Sequence, residues 1–333
     1  MKAFRLDGPG VAAVADVPEV TVSAGETLLR VKMVGLCGTD LNTFRGRNAM
    51  VTFPRVPGHE VAAEIVEGGG DLAAGTMVTM SPYTSCGKCA SCRSGRVNAC
   101  QWNETMGVQR DGAMTEYISV PREKLYAAKL SVKELCLVEP LTVGFHAAAR
   151  GRVTASDAVA VFGCGGVGLG AIASAAFRGA QTIAIDMDDA KLETARKAGA
   201  KHLIHSKSED LHERLQAITG GHGPDVMIEA IGLQQTFRAA VEEVAFTGRV
   251  VYIGYAKEPV QYETRLFVQK ELDIMGSRNA LPEDFREVIR MLEAGRFPVE
   301  DAVSAIVPMG DAARMLGEWS ETPAKFTKIM VQL

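Results

Sequence analysis

The sequence has little of several features that would each indicate a particular class of protein. Aromatic residues occupy only 6% of its 333 positions, and acidic residues outnumber basic ones by 40 to 36, for a net charge of −4. Without a basic excess, a nucleic-acid or anionic-membrane partner is not expected. The longest apolar stretch, residues 158–176, is interrupted by glycines and therefore predicts a strand, a turn and a helix rather than a membrane span.

The first ten residues, MKAFRLDGPG, lack the apolar centre of a secretion signal, so we expect a cytoplasmic protein. In that reducing compartment, the seven cysteines are expected to be thiols or metal ligands rather than disulfides. The chain is also too long for one ordinary hydrophobic core, which predicts more than one domain.

The pattern of apolar residues changes twice along the chain. Residues 1–150 contain short apolar runs separated by glycine and proline, which is typical of small antiparallel strands. Residues 151–281 alternate strands with helices, and residues 282–333 predict two helices and a last strand. The predicted fold class is therefore α/β, with a doubly wound parallel sheet beside a mainly β domain.

A glycine-rich motif follows the first strand of the second segment. It has the form G-x-G-x-x-G, with an apolar strand before it and a helix of small residues after it, and Asp186 ends the next strand 18 residues beyond the last glycine. This context is typical of a Rossmann dinucleotide site, in which a helix N-terminus meets the pyrophosphate and the acid meets a ribose. A glycine-rich turn without a ligand is the alternative. The predicted NAD-binding residues are Gly163, Gly165, Gly166, Val167, Gly168 and Asp186.

Four cysteines are clustered at positions 86, 89, 92 and 100, with the spacing C-x2-C-x2-C-x7-C. Four thiolates complete a tetrahedral zinc site and leave no open position, which indicates a structural metal. An iron–sulfur cluster is the alternative, although the spacing differs from that of the ferredoxins.

A second set of metal-ligand residues is spread more widely. Cys37, His59, Glu60 and Glu139 together offer sulfur, nitrogen and carboxylate oxygen, which suits a catalytic zinc with an exchangeable position. Each residue alone is explained equally well as an ordinary structural residue. Their spacing does not establish that they converge.

Five motifs in order resemble the zinc-containing medium-chain dehydrogenases, in the branch that includes sorbitol and threonine dehydrogenases. They are GLCGTD, PGHE, the four-cysteine segment, EPLTVGFHA and VFGCGGVGLGAIASA. The resemblance covers nearly the whole chain. It implies a GroES-like catalytic domain over 1–150 with a zinc lobe at about 81–103, a Rossmann domain over 151–281, and a return to the catalytic domain over 282–333. It also implies a homodimer or homotetramer.

The resemblance assigns roles to individual residues. Cys37 and His59 match the ligands of the catalytic zinc, and Glu60 and Glu139 match direct or water-mediated ligands. Thr39 matches the hydroxyl that hydrogen-bonds the reacting alcohol and passes on its proton, and Asp40 matches an acid that orients the histidine. The four clustered cysteines match the structural zinc site, giving two zinc ions per chain.

One position departs from the family pattern. Many members carry a histidine that relays the proton to solvent where this chain has Asn42. Asparagine cannot titrate, so the relay has to use water, a ribose hydroxyl or a carboxylate such as Glu60.

The expected reaction is the reversible oxidation of a secondary alcohol of a polyol or sugar to a ketone, with NAD as the hydride acceptor. The alternative substrate is a sugar acid or sugar phosphate, for which Arg278, and also Arg45 and Arg47, could bind the anionic group. A hypothesis from another class is a sensory protein that binds NAD without catalysis.

Overall fold

The structure is a computed structural model that describes residues 1–67 and 72–333. The chain forms two compact units. The first contains Met1–Glu139 and Val299–Leu333, and the second contains Pro140–Pro298. Within the described residues, no helix combines the length and apolar character that crossing a membrane requires.

Strands and helices follow the alternation that the sequence predicts. In chain order the strands are β1 Lys2–Gly8, β2 Val11–Asp16, β3 Glu26–Leu36, β4 Glu60–Ile65, β5 Met77–Met80, β6 Tyr117–Pro121, β7 Leu125–Ala127, β8 Ala158–Phe162, β9 Gln181–Asp186, β10 His202–His205, β11 Val226–Glu229, β12 Arg249–Tyr252, β13 Asp273–Gly276, β14 Ala305–Pro308 and β15 Ile329–Gln332. The α-helices are α1 Gly38–Phe44, α2 Ala90–Arg93, α3 Val132–Arg150, α4 Gly166–Phe177, α5 Asp189–Lys197, α6 Leu211–Thr219, α7 Gln234–Glu243, α8 Arg265–Gln269, α9 Pro282–Glu293, α10 Val299–Ala302 and α11 Ala312–Glu321. Short 3₁₀ turns cover Val97–Ala99, Arg122–Lys124, Met309–Asp311 and Pro323–Lys325.

The first unit contains a sheet with the strand order β14-β15-β3-β4-β5-β7, and β6 also pairs with β3. Strands β3 and β4 are antiparallel, and Gly35 pairs with Glu60 at the C-terminal end of β3. Apolar side chains of β3 and β4 such as Leu29, Val34 and Ile65 are buried in the core of this unit. The pairing places the residues after β3 beside those before β4.

The second unit contains a parallel six-stranded sheet with the order β10-β9-β8-β11-β12-β13. The first strand in sequence, β8, lies in the middle, and the chain builds outwards from it to both sides. Ligands of such sheets bind beyond the carboxyl ends of the strands, at the point where the strand order reverses. Here that point lies between β8 and β11, and the glycine-rich motif follows β8. The predicted fold class, a Rossmann-type sheet with a separate mainly β unit, is confirmed.

The units divide at 139 and 298, whereas the sequence predicts seams near 150 and 281. Helix α3 runs through the first seam without a break, and its second half packs closely on α4. A Cβ atom at Gly144 would lie 2.1 Å from the backbone nitrogen of Ala171, so glycine is needed for that approach. Residues 140–150 therefore belong with the parallel sheet.

Helix α9 also belongs with the second unit rather than with the C-terminal return. The Oδ2 atom of its Asp284 lies 2.8 Å from Nδ1 of His146 of α3, and its Glu287 forms a 2.5 Å ion pair with Arg178, which follows α4. These contacts hold α9 against the parallel sheet's helices, so the return to the first unit begins only at residue 299.

Candidate active site

Three predicted ligands converge at the end of the β3–β4 pair. Cys37 directly follows β3, and His59 directly precedes Glu60, the first residue of β4. One potential ligand atom from each of the three lies within 4.8 Å of the others. His59 and Glu60 are buried, and Cys37 is half-buried. The antiparallel register thus brings together residues that are 22 positions apart in the chain.

The electrostatics of this cluster suit a cation. Burial alone would lower the pKa of His59, but interactions with Cys37, Asp40 and Glu139 outweigh it and hold the pKa well above its usual range. The buried Nδ1 atom of His59 has no hydrogen-bond partner among the described residues. Thiolate, imidazole and carboxylate are the donors that zinc prefers at catalytic sites, so this donor set fits the predicted metal.

Glu60 is held by a lysine that the sequence analysis did not single out. The Nζ atom of Lys328 lies 2.5 Å and 2.7 Å from the two carboxylate oxygens of Glu60. Both side chains are buried, with exposed fractions of 7% and 1%. A Cβ atom at Gly35 would lie 2.0 Å from Glu60 Oε2, so only glycine leaves room for the carboxylate in this position.

Glu139 lies beside the three-residue cluster but is not one of its members. Its carboxylate accepts a hydrogen bond from the hydroxyl of Tyr83, and both side chains are buried. Burial raises the pKa of Glu139, while the charge of His59 acts to lower it. Glu139 and His59 are therefore close enough to interact electrostatically, and direct ligation by Glu139 stays a prediction.

Thr39 and Asp40 lie in the first turn of α1, directly after Cys37. The Asp40 carboxylate accepts the backbone N–H of Cys37 at 2.8 Å and so fixes the start of that helix. No hydrogen bond joins Asp40 to His59 among the described residues, although the two interact electrostatically. The predicted orienting role of Asp40 is therefore untested, as is the proton transfer by the half-buried Thr39. Asn42 is exposed on the same helix.

The four clustered cysteines also converge. Their sulfur atoms all lie within 4.8 Å of one another, and none is in a disulfide. Cys89 Sγ lies 3.5 Å from Cys92 Sγ and 3.9 Å from Cys100 Sγ, too far for a covalent bond. These separations fit four thiolates around one tetrahedral zinc ion.

Backbone amides donate to these sulfur atoms. The N–H of Cys86 and that of Trp102 point to Cys100 Sγ, and the N–H of Cys89 points to Cys86 Sγ, each at 3.3 Å. The Ser91 hydroxyl and nearby amides lower the pKa of Cys89 to about 5. Such outer contacts orient the sulfur atoms, as a metal-binding lobe requires.

The glycine-rich loop occupies the carboxyl end of β8, and Gly165 precedes the first turn of α4. Gly163 has a φ of +92°, a conformation that favours glycine. A Cβ atom at Gly168 would lie 1.8 Å from the Gly163 carbonyl oxygen, which shows how closely helix and strand approach. Gly165 faces open space, with no atom within 4 Å of a Cβ built there. This side of the loop is free to receive a pyrophosphate.

Asp186 ends β9 beside this loop. Its Oδ2 accepts the N–H of Cys164 at 2.7 Å, and its Oδ1 accepts the N–H of Met187 at 2.7 Å. The carboxylate therefore fixes the position of the glycine loop and remains half-exposed for a ribose. The remaining predicted cofactor residues, Gly166 and Val167, begin α4.

The arginines proposed to bind an anionic substrate have different surroundings. Arg278 is exposed after β13. Arg45 donates from Nε to Ser320 Oγ at 2.9 Å and so links α1 to α11. Arg47 is exposed just after α1. Arg45 therefore has a structural partner.

Sequence reasoning missed Tyr83 and Lys328, although both contact predicted site residues. Lys328 lies 268 positions from Glu60, and no motif marks it. Tyr83 lies three positions before the cysteine cluster, and only the fold shows that its hydroxyl reaches Glu139.

Two family models match the chain. The alcohol dehydrogenase GroES-like domain matches residues 23–130, and the zinc-binding dehydrogenase domain matches residues 166–294. The two matches fall mainly in the first and the second structural unit, respectively.

Two curated relatives are similar over most of their length. An L-galactonate-5-dehydrogenase of Escherichia coli K12 is 35% identical over 86% of this chain and 86% of the relative. A sorbitol dehydrogenase of Bacillus subtilis 168 is 33% identical over 83% of this chain and 81% of the relative.

Two solved structures show the same fold. The alcohol dehydrogenase RspB of E. coli CFT073, in complex with NADH, has a TM-score of 0.91 at 28% identity and covers 100% of this chain and 99% of its own. A zinc-binding dehydrogenase of Sinorhizobium meliloti 1021, bound to NADP, has a TM-score of 0.89 at 28% identity and covers the same shares of the two chains. The motifs, the two units and these similarities lead to one conclusion: the chain belongs to the zinc-type medium-chain dehydrogenases, the alcohol dehydrogenase superfamily.

Proposed function

We propose that this protein oxidises a secondary alcohol of a polyol, sugar or sugar acid to a ketone, with NAD as the hydride acceptor and zinc at the Cys37–His59–Glu60 cluster. The convergence of these three side chains at the end of β3 and β4 is the observation that carries the proposal. A half-buried thiol, a buried imidazole and a buried carboxylate together form an open site for a cation, because they leave a tetrahedral metal one position for substrate.

A zinc ion held there would supply a Lewis acid for the alcohol oxygen. The chain's own residues would remove the proton of the alcohol. The Thr39 hydroxyl, two positions after Cys37 in the first turn of α1, accepts the alcohol proton. Because Asn42 cannot titrate and Glu60 is assigned to the metal, the proton leaves Thr39 through water or a ribose hydroxyl.

NAD is favoured over NADP by the charge at the end of β9. Asp186 would accept the ribose hydroxyls of NAD and repel a 2′-phosphate, and the next residues, Met187, Asp188 and Asp189, offer no cation to pair with one. When bound, NAD supplies the hydride acceptor. Solved relatives carry either cofactor, so the argument depends on this chain's own residues.

A second zinc ion is proposed for the four-cysteine lobe. Four sulfur donors saturate a tetrahedral ion, so this site has a structural role, and it brings the total to two zinc ions per chain.

The substrate class follows from the relatives. An L-galactonate-5-dehydrogenase and a sorbitol dehydrogenase are similar over more than four fifths of this chain, and both names denote hydroxylated substrates. A polyol or sugar is the first candidate. A sugar acid is the second, supported by the relative with 35% identity. The exposed Arg278 is the proposed contact for an anionic group.

We also propose that the chain assembles as a homodimer or homotetramer. Strand β13 is the outer strand of the parallel sheet and pairs on one side only, with β12, among the described residues. Apolar side chains are exposed on and near it: Ile274 is 38% exposed and Val268 is 82% exposed. An unpaired apolar edge of this kind favours pairing with a second copy.

The test is NADH formation by the purified protein across polyols, aldoses, sugar acids and their phosphates, with and without a zinc chelator. The proposal predicts turnover with at least one class and its loss on chelation. NAD binding without turnover on any of these classes would instead support the sensory hypothesis.

A further inference from the structure

A hydrogen bond from Tyr83 to Glu139 connects the four-cysteine lobe to the candidate catalytic centre. The lobe occupies residues 86–100, and its two ends meet in a short stem. Tyr83 and Thr105 form an antiparallel bridge there. The Oγ1 atom of Thr84 accepts the N–H of Glu104 at 2.7 Å, and Pro82 O accepts the N–H of Met106 at 3.1 Å. The stem therefore closes the loop that carries all four cysteines.

The side chain of Tyr83 leaves this stem and enters the other site. Its hydroxyl donates a hydrogen bond to Oε1 of Glu139, and the side chains of both residues are buried. An ordinary phenol is protonated at neutral pH and therefore donates this hydrogen bond to the carboxylate.

We propose that Tyr83 is a positioning residue that couples the four-cysteine lobe to the candidate catalytic metal centre, by transmitting the position of the lobe's stem to the carboxylate of Glu139. This inference rests on the proposed function, since it requires a metal at each site and Glu139 as a direct or water-mediated ligand of the catalytic one. A metal in the lobe orders the stem, the stem fixes the phenol, and the phenol orients one oxygen of Glu139. The lobe therefore contributes to metal retention at the candidate catalytic metal centre as well as to the stability of the fold.

A buried hydrogen bond to a carboxylate is suited to this role. An acid beside a metal centre is oriented by its hydrogen-bond partners, and losing such a partner typically weakens metal binding about 10- to 100-fold. The phenol is rigid, with two side-chain torsions, so a shift of the stem is passed to the hydroxyl rather than absorbed.

The experiment follows zinc release into an excess of a colorimetric chelator. The variants are Tyr83→Phe, Cys89→Ser and their combination. Tyr117→Phe is the matched control, because that residue lies on β6 with its ring beside Arg30. Cys37→Ala should lack one of the two release steps of the wild type. The step that it lacks is assigned to the catalytic ion. Circular dichroism and thermal melting establish that each variant is folded.

The wild type should release two zinc ions per chain. In Tyr83→Phe the catalytic ion should leave about tenfold faster while the lobe ion leaves at the wild-type rate. Cys89→Ser should retain one ion, also released faster than the catalytic ion of the wild type. Adding Tyr83→Phe to Cys89→Ser should change little, since both act through one contact. If Cys89→Ser does not fold, Thr84→Val loosens the stem without touching a cysteine and should give the same acceleration.

Three results would overturn the coupling. One is an unchanged release rate in Tyr83→Phe. Another is equal acceleration of both ions, which is what a general loss of stability would cause. The third is a double variant in which the two accelerations multiply. Each leaves the proposed function standing if the wild type holds two zinc ions and turns over substrate, whereas a wild type that binds no zinc contradicts both.

Discussion

Two candidate ligands of the catalytic metal centre, Glu60 and Glu139, are held by neighbours distant in sequence. Lys328 pairs with Glu60, Tyr83 donates to Glu139, and Gly35 leaves the space that the Glu60 carboxylate fills. The ligands belong to recognisable motifs, and the sequence therefore predicted them. Their supports come from single positions without a motif, and only the folded chain reveals them. The ligands of the centre could thus be predicted from the sequence, whereas the residues that hold them in place could not.

The Lys328–Glu60 pair should be important for stability. Replacing Lys328 with methionine would leave a buried carboxylate without its partner, which typically costs about 3–5 kcal/mol. We expect Lys328→Met to lower the free energy of unfolding of the zinc-depleted protein by about that amount, measured by urea denaturation. Lys328→Met combined with Glu60→Gln should recover part of the loss, because the buried charge is removed. A single variant as stable as the wild type would contradict this account of the pair.

Asp186 should decide the cofactor. Asp186→Ser removes both the ribose acceptor and the charge, so NAD binding should weaken about tenfold, as expected for a lost hydrogen bond to a charged group. The preference for NAD over NADP should narrow, as measured by titrating each cofactor against the fluorescence of the protein. Asp186→Asn is the control for the loop, because an amide oxygen can still accept from Cys164. An unchanged NAD-to-NADP ratio in both variants would refute the assignment.

At the scale of elements, the alternation of strand and helix after residue 153 was readable because short apolar runs alternate with longer helical patterns. The domain seams were harder to place. Helix α3 crosses the first seam as one helix, although Pro140 lies at the seam, and α9 joins the second unit through contacts of Asp284 and Glu287. Tertiary packing decides such boundaries, and packing partners far apart in the chain leave no local signal.

The start of β8, which carries the glycine loop at its other end, is tied to β12 by a charged pair. Asp157 accepts a hydrogen bond from Arg249 and a 2.7 Å bond from the N–H of Thr154. Burial would raise the pKa of Asp157, but Arg249 and Thr154 outweigh it and hold the pKa below its usual value. A carboxyl with a lowered folded pKa contributes stability above its unfolded pKa, and that contribution is lost as the pH falls through the folded pKa.

Asp157→Asn should therefore lower the free energy of unfolding by about 2 kcal/mol at pH 7, as expected for a hydrogen bond between charged groups. The difference from the wild type should stay constant down to about pH 4, near the unfolded pKa of aspartate, and shrink below it. Urea denaturation at a series of pH values measures both effects. A difference that persists undiminished below the lowered pKa would show that charge is not the cause.

At the scale of the whole molecule, the two candidate metal sites differ in how their ligands are distributed along the chain. The four cysteines lie within 15 consecutive positions and form a closed donor set. The open set is dispersed over more than 100 positions, from Cys37 to Glu139. The β3–β4 pair brings Cys37, His59 and Glu60 together, and Glu139 lies on α3. The family resemblance predicted both sets, but it assigned the denser one, the four-cysteine motif, to a structural zinc ion. The chemistry is therefore proposed for the dispersed set.

That claim is tested most directly by counting zinc and measuring NADH formation in the wild type and in Cys37→Ala. The wild type should hold two zinc ions per chain and oxidise a polyol, sugar or sugar acid. Cys37→Ala should hold one zinc ion, bind NAD as the wild type does, and form NADH at least 1,000-fold more slowly, roughly the effect of losing about 4 kcal/mol of transition-state stabilisation. A Cys37→Ala protein that retains wild-type turnover would contradict the central claim.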